Sequence, residues 1–360
     1  MNGRPAIAPV VLPHARCEAG CPLCPAERGL DSRSHFAPVP SPDEVHSSVA
    51  KALGRSRGRA VEIGFYGGDL WSLPRGPRTA LLDAAETEVR RKRASGIRLS
   101  LTPHSVLRAP LGEFRTRGVR AVEVGVFSVH GNTLRALGMK RAARCGVEAM
   151  GRLHRARLRA IAVLMPGLPS SSHRSALTTA EAVLRTRPDG VRLLPALALG
   201  GTNLGALFRT GRWVPMELDQ AVTTCREQVR LVRAAGVPVL RVGMQPDQDL
   251  WEAPPILAGP FDPSLRHRVE SDLLRGPASA ALTSVWSFGT RAVTFIVHPG
   301  DESWLRGHEN STIRSFRDRF RLESIRVLAL SEQPRGRIRA IAGLLQREQV
   351  PPLRGERKAS

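Results

Sequence analysis

Lysine is nearly absent from this 360-residue chain: Lys51, Lys92, Lys140 and Lys358 are the only ones, although lysine and arginine together number 54. Acids are short as well, at 32, which leaves a formal net charge of +22. Cysteine is scarce. Five in a chain of this length are too few for a disulfide framework, and three of them crowd into one segment, which points to a metal instead of bridges. No stretch reaches the roughly 18 apolar residues of a membrane-spanning helix. Met1-Asn2-Gly3-Arg4-Pro5 runs on into a strand-like segment and not into a signal peptide. A cytoplasmic protein without membrane association is expected. No internal repeat of fixed period is visible, which disfavours solenoids and propellers.

What is present is ordinary in bulk. Hydrophobic content of 42% with 24% charged residues fits a globular chain and excludes wholesale disorder or a low-complexity fibre. The charge balance carries more information. A chain this basic attracts polyanions, RNA above all, because phosphate contacts release counterions. The alternative is compositional: an Arg-rich, Lys-poor sequence with much Ala, Gly and Pro is what a GC-rich genome encodes. That reading leaves the shortage of acids unexplained, so an anionic partner is the expectation.

Strand-like apolar runs alternate with helical patterns over most of the sequence. The runs lie at 6–12, 60–65, 97–101, 121–126, 161–165 and 191–194, with a seventh candidate at 237–242. Helical patterns at 78–92 and 218–235 separate them. Six or seven parallel strands fall short of the eight of a closed barrel, so the expected fold is α/β, a partial, open (β/α)6-type parallel barrel with its site at the strand C-termini. The expected domains are this barrel over 1–275, a small α+β unit over 276–350 and a basic, disordered tail over 351–360. A short helix is expected at 265–274. In the second unit the pattern predicts helices at 279–288 and 310–320, strands at 292–297 and 324–330, and a further helix near 338–348.

Cys17-Glu18-Ala19-Gly20-Cys21-Pro22-Leu23-Cys24 gives a C-x3-C-x2-C spacing directly after the first strand. Three thiolates on one tight loop, bent by Gly20 and Pro22, can bind three irons of a 4Fe-4S cubane and leave the fourth iron open. An open iron can chelate the amino and carboxylate groups of S-adenosyl-L-methionine. An electron passed into the sulfonium then splits it to methionine and a 5'-deoxyadenosyl radical. A structural zinc is the alternative, with His14 as a fourth ligand, but zinc sites commonly pair two separated arms and no second arm is present. Cys145 and Cys225 lie in helical stretches and read as small buried hydrophobes.

With these cysteines at a strand end in an open α/β barrel, the chain resembles the radical S-adenosylmethionine (radical SAM) superfamily. Phe65-Tyr66-Gly67-Gly68-Asp69 is similar to the superfamily's glycine-pair motif, which implies that backbone carbonyls at Gly67 and Gly68 receive the cofactor's ammonium group. Further segments resemble bacterial proteins similar to the radical domain of the Elongator complex catalytic subunit. They are Val10-Val11-Leu12-Pro13-His14, Val122 to Ser128, Leu164-Met165-Pro166-Gly167-Leu168-Pro169, and Arg241-Val242-Gly243-Met244-Gln245-Pro246. By position, the resemblance implies that Glu123 and Ser128 face the adenosyl moiety, Glu123 as a ribose ligand, and that Met165 and Gly167 close over the adenine. An acid paired to one of the many arginines is the other reading of Glu123.

The departures fall on the substrate side. Phe127 replaces a glutamine, Leu23 takes the place of an aromatic residue before the last cysteine, and Ser100-Leu101-Thr102-Pro103-His104 lacks the family's cation and anion. The chain past the barrel is too short for an acetyltransferase module, so wobble-uridine carboxymethylation by one polypeptide is not expected. The implied function is a radical SAM iron-sulfur enzyme that modifies an RNA nucleoside, in tRNA or another RNA, with a flavodoxin or ferredoxin as electron donor. A small metabolite or peptide substrate, or a non-catalytic cluster-binding relative, are the alternatives.

Overall fold

The computed structural model describes residues 5–13, 21–23, 38–139, 142–244 and 256–351. The chain divides into two compact units, Met1–Asp262 and Pro263–Ser360. In the first, β1 (Ala6–Leu12), β2 (Val61–Gly67), β3 (Gly96–Leu101), β4 (Val119–Gly125), β5 (Arg159–Leu164) and β6 (Gly190–Leu193) are joined, past the two-residue β7 (Ala198–Leu199), by β8 (Val239–Val242). Together they make one parallel sheet in the order β1-β2-β3-β4-β5-β6-β8, with β1 and β8 at its two edges: an open, curled half barrel. The seventh candidate strand is therefore part of it.

Strand parity decides which residues face the helices and which face the lumen. Ala8, Val10 and Leu12 of β1 are buried, as are Val61, Ile63 and Phe65 of β2 and Ile97, Leu99 and Leu101 of β3. The helix Pro42–Arg55 lies against β1 and buries Val45, Val49 and Ala52 at i, i+4 and i+7. Each such Val or Leu contributes about 1.5–3 kcal/mol when fully buried. A capping box starts this helix: the Glu44 amide donates to Ser41 Oγ, the Ser41 amide donates to the Glu44 carboxylate, and Pro42 fills the first turn, where its missing N–H costs nothing. The residues of opposite parity include Ile7, Pro9 and Val11 on β1, Tyr66 on β2, Arg98 and Ser100 on β3, and Glu123 and Gly125 on β4, all of which line the lumen. A one-residue slip of any strand would exchange the two sets. A short β9 (Ile256–Ala258) pairs antiparallel with β7.

The second unit departs from expectation twice. A single helix, Leu265–Thr283, replaces the two expected on either side of Gly276, with Pro277 inside it. Leu265, Val269, Leu274, Ala278 and Leu282 form one buried stripe that runs past the proline, and this continuous packing outweighs the hydrogen bond that Pro277 cannot donate. The boundary expected at 275/276 thus falls inside a helix, and the units divide after Asp262.

The helix expected near 338–348 is instead strand β12 (Arg339–Ala342), antiparallel to β10 (Ala292–Val297), with a short 3-10 turn at Arg347–Gln349. The parallel partner β11 (Ser324–Ala329) occupies the other edge of β10. Without β12 one edge of β10 would lack a partner for its backbone groups. The helix Ser311–Arg319 and strands β10 and β11 lie where the sequence puts them. Apart from Pro351, the tail lies outside the described residues. Among the described residues no helix is long and apolar enough to cross a membrane.

Candidate functional site

A cavity of about 660 Å³ runs through the half barrel. At its mouth, at the C-terminal ends of the strands, stand Cys21, Leu23, Gly67, Gly68 and Met165; deeper in it lie Tyr66, Arg98, Glu123 and Arg192.

The mouth is built by backbone more than by side chains. Cys21 is buried, and its carbonyl accepts a hydrogen bond from Asn203 Nδ2 at 3.0 Å, while the Leu204 amide donates to the Pro22 carbonyl at 3.2 Å. Both anchors come from the helix Asn203–Arg209, which Thr202 caps. Gly67 has φ of +83°, and a Cβ there would come within 2.6 Å of the Leu12 carbonyl oxygen. Only glycine fits that approach. The Gly68 amide donates to the same carbonyl at 3.0 Å, which ties the glycine pair to the end of β1 just before the cysteine loop. Asp69 fixes the pair from the other side: one carboxylate oxygen accepts from the Trp71 amide and the other from the Thr102 amide, each at 2.8 Å. Leu23 and Phe127 pack onto a cluster that includes Met139, Met165, Leu204 and Trp213, an apolar wall beside Cys21.

Cys17 and Cys24 lie outside the described residues, as does His14. The described part of the motif fits an iron-sulfur cluster that carries a small zwitterionic ligand. A buried thiol opens onto a cavity, an apolar wall lies beside it, and a glycine pair lines the same cavity without side chains. Cys225 is fully buried, with its thiol pushed up to about 12 by burial, and Cys145 is half-buried on the helix Ala142–Arg155.

Of the other expected cofactor contacts, Met165 and Glu123 line the cavity; Ser128 and Gly167 are not among its lining residues. Ser128 Oγ accepts from the His130 amide at 3.0 Å, and the Gly167 carbonyl accepts from Trp213 Nε1 at 3.1 Å. Glu123 has both carboxylate oxygens engaged, one by Arg98 Nη1 at 3.2 Å and the other by Arg192 Nη1. That is the arginine-paired arrangement, its alternative reading.

The pairing extends further. Arg98 also donates to Glu62 from Nε at 2.9 Å and from Nη2, and Arg159 Nη2 donates to the other Glu62 oxygen at 2.7 Å. Arg159, Glu62, Arg98, Glu123 and Arg192 thus alternate in sign across β2 to β6. Tyr66 stands in the same layer. Burial pushes its phenol up to about 12, the Glu123 charge adds to that, and Arg98 and Arg192 oppose it. Its ring lies over Gly64, where a Cβ would come within 2.3 Å of Cε2, and the Phe127 ring lies in the same way over Gly125. Sequence reading missed this layer apart from Glu123. A signal was present: β2, β3 and β6 each carry one charged residue among apolar neighbours and β4 carries two, Arg120 and Glu123, an unusual pattern for strands of a parallel sheet.

Comparison with known proteins adds to the geometry. The family model described as Radical_SAM C-terminal domain matches residues 188–275. Elongator complex protein 3 of Danio rerio is 28% identical over 121 residues, 33% of this chain and 22% of that protein. Protein YhcC of Escherichia coli strain K12 is 26% identical over 136 residues, 38% of this chain and 44% of that protein. The chain therefore matches less than half the length of these curated relatives. Among solved structures, the archaeal Methanocaldococcus infernus Elp3 with an N-terminal deletion superposes with a TM-score of 0.56 at 16% identity, over 76% of this chain and 63% of that one. At that identity the likeness is one of fold.

Proposed function

We propose that this chain, a radical SAM superfamily member resembling Elongator complex protein 3, is a cytoplasmic enzyme that modifies a nucleoside of tRNA or another RNA. The cofactors of this enzyme class are a 4Fe-4S cluster and S-adenosyl-L-methionine. Cys17, Cys21 and Cys24 would hold the cluster. When bound and reduced by a flavodoxin- or ferredoxin-type donor, the cofactors supply a 5'-deoxyadenosyl radical, chemistry that no side chain provides.

The chain's own residues bind, orient and exclude water. Asn203 and Leu204 hold the Cys21-Pro22 backbone in place. Gly67 and Gly68 offer carbonyls to the cofactor ammonium, and Asp69 braces that turn against the end of β3. Leu23, Phe127, Met139 and Met165 keep the mouth dry, which protects a radical from water and strengthens every electrostatic contact there.

The observation that carries the RNA reading is the net charge of +22 in a chain whose relatives include Elongator proteins. Its test is binding of bulk tRNA across a salt series. Log affinity is expected to fall linearly with log salt, with a slope of about 0.7 per single-strand phosphate neutralised. A flat profile, or no binding at low salt, would move the substrate to the small-molecule class. Cleavage of S-adenosyl-L-methionine under anaerobic reduction tests the enzyme itself, and its absence in iron-loaded protein would leave a non-catalytic cluster carrier.

A further inference from the structure

The interior charge row holds three arginines against two glutamates, so it ends on a cation at both sides. The two ends differ. Arg159 is half exposed, and solvent screens it. The Arg192 side chain is only 12% exposed and stands in the cavity wall. It spends Nη1 on Glu123, while its Nε and Nη2 meet no acceptor among the described residues. Next to it, the guanidinium carbon lies 5.6 Å from the Tyr66 ring, and the Tyr66 hydroxyl has no hydrogen bond among the described residues. Strand register puts Arg241 of β8 beside Arg192, and it too lines the cavity.

These donors open onto the cavity without a protein acceptor and can take one from a ligand, and a cation left over in a wall that solvent reaches only in part gains from a nearby anion. An oxyanion would meet both needs, accepting from Arg192 and Tyr66 and balancing the odd positive charge. We propose that Arg192 and Tyr66 form an oxyanion subsite in the barrel lumen, so that the part of the substrate entering the lumen carries a phosphate or a carboxylate. The Tyr66 phenol remains protonated well past neutral pH and is therefore a donor. Glu123 acts here as a positioning residue, holding Arg192 by one nitrogen so that the others face the cavity. This inference rests on the reading of the lumen as the substrate chamber.

The test is calorimetric titration of the full chain with inorganic phosphate, uridine 5'-monophosphate and succinate, each at one ionic strength fixed with chloride. Saturable binding of at least one of them is expected. Arg192→Gln is expected to weaken it by at least about tenfold, the worth of a charged hydrogen bond, and Tyr66→Phe by about threefold or more. Tyr66→Phe removes one oxygen and leaves every ion pair in place, so it serves even if Arg192→Gln folds poorly. Preference for the phosphates over succinate, or the reverse, identifies the source of the anion. No saturable binding above the chloride background, or wild-type dissociation constants in both variants, would overturn the subsite. The measurement needs neither cluster nor S-adenosyl-L-methionine. Oxyanion binding in a protein that never cleaves S-adenosyl-L-methionine would sink the enzyme reading alone, and cleavage without oxyanion binding would sink the subsite alone.

Discussion

The mouth and the floor of the cavity solve opposite problems. At the mouth stand a buried thiol and a glycine pair, held by amides, an Asn side chain and a carboxylate brace. At the floor stand side-chain charges that hold one another across five strands. The mouth is specified by short local motifs and tolerates no bulk. The floor is specified by strand register, which decides which charges meet. Substitutions at the two ends should therefore fail in different ways.

The sharpest contrast is expected at the cluster. Cys17→Ala, Cys21→Ala and Cys24→Ala should each abolish iron binding in anaerobically reconstituted protein, whereas Cys145→Ala and Cys225→Ala keep about four irons and four sulfides. Stoichiometric zinc in place of iron would break the comparison at its first term. At the floor, Arg98→Leu leaves Glu62 without its main partner and Glu123 with only Arg192. Removing one member of a buried ionic set costs about 3–5 kcal/mol, to be read from denaturant midpoints; a cost below about 1 kcal/mol would mean that water already reaches this layer.

Tyr66 sharpens the same point spectroscopically, because it is the only tyrosine in the chain. Phenolate absorbance in the folded protein should rise only near pH 12, against 10 for an unburied phenol. Since the folded value is the higher one, the stability linked to Tyr66 is fully present below about pH 10 and is lost as pH rises toward 12. A midpoint near 10 would place the ring in solvent. The smallest effect should come from the glycine pair. Gly67→Ala is expected to weaken S-adenosyl-L-methionine binding about tenfold while iron content stays at wild type, because a Cβ at positive φ strains the backbone by about 1–3 kcal/mol. Unchanged cofactor affinity would reduce the glycine pair to a simple turn.

These differences also explain what could be read in advance. Local motifs announce themselves, so the position of Cys21, Gly67 and Gly68 at strand ends beside the cavity was legible from spacing and chain position. The strands were legible because long apolar runs between helices admit few other readings. Arg98, Arg192 and Glu62 were not, since a single charge in a strand acquires meaning only when register brings strands 25 to 97 residues apart in sequence side by side. The region 338–348 misled for a related reason: Ile338, Ile341 and Leu345 show helical spacing, yet Ile338 and Ala340 pack on the second unit's core with a period of two, as β12 requires. At Gly276 and Pro277 two local breaker residues spoke against a helix, and a buried stripe several turns long overrode them.

Gly64 and Gly125 touch no ligand in any scheme set out above, yet they govern the bore of the barrel. The rings of Tyr66 and Phe127 rest where their side chains would be. A methyl group at either position must lift a ring off the wall and into open space, which narrows the channel and carries the Tyr66 hydroxyl away from Arg192. The calibre of the cavity is thus set by two glycines beneath its aromatic rings, and a single methyl group at either one would change it.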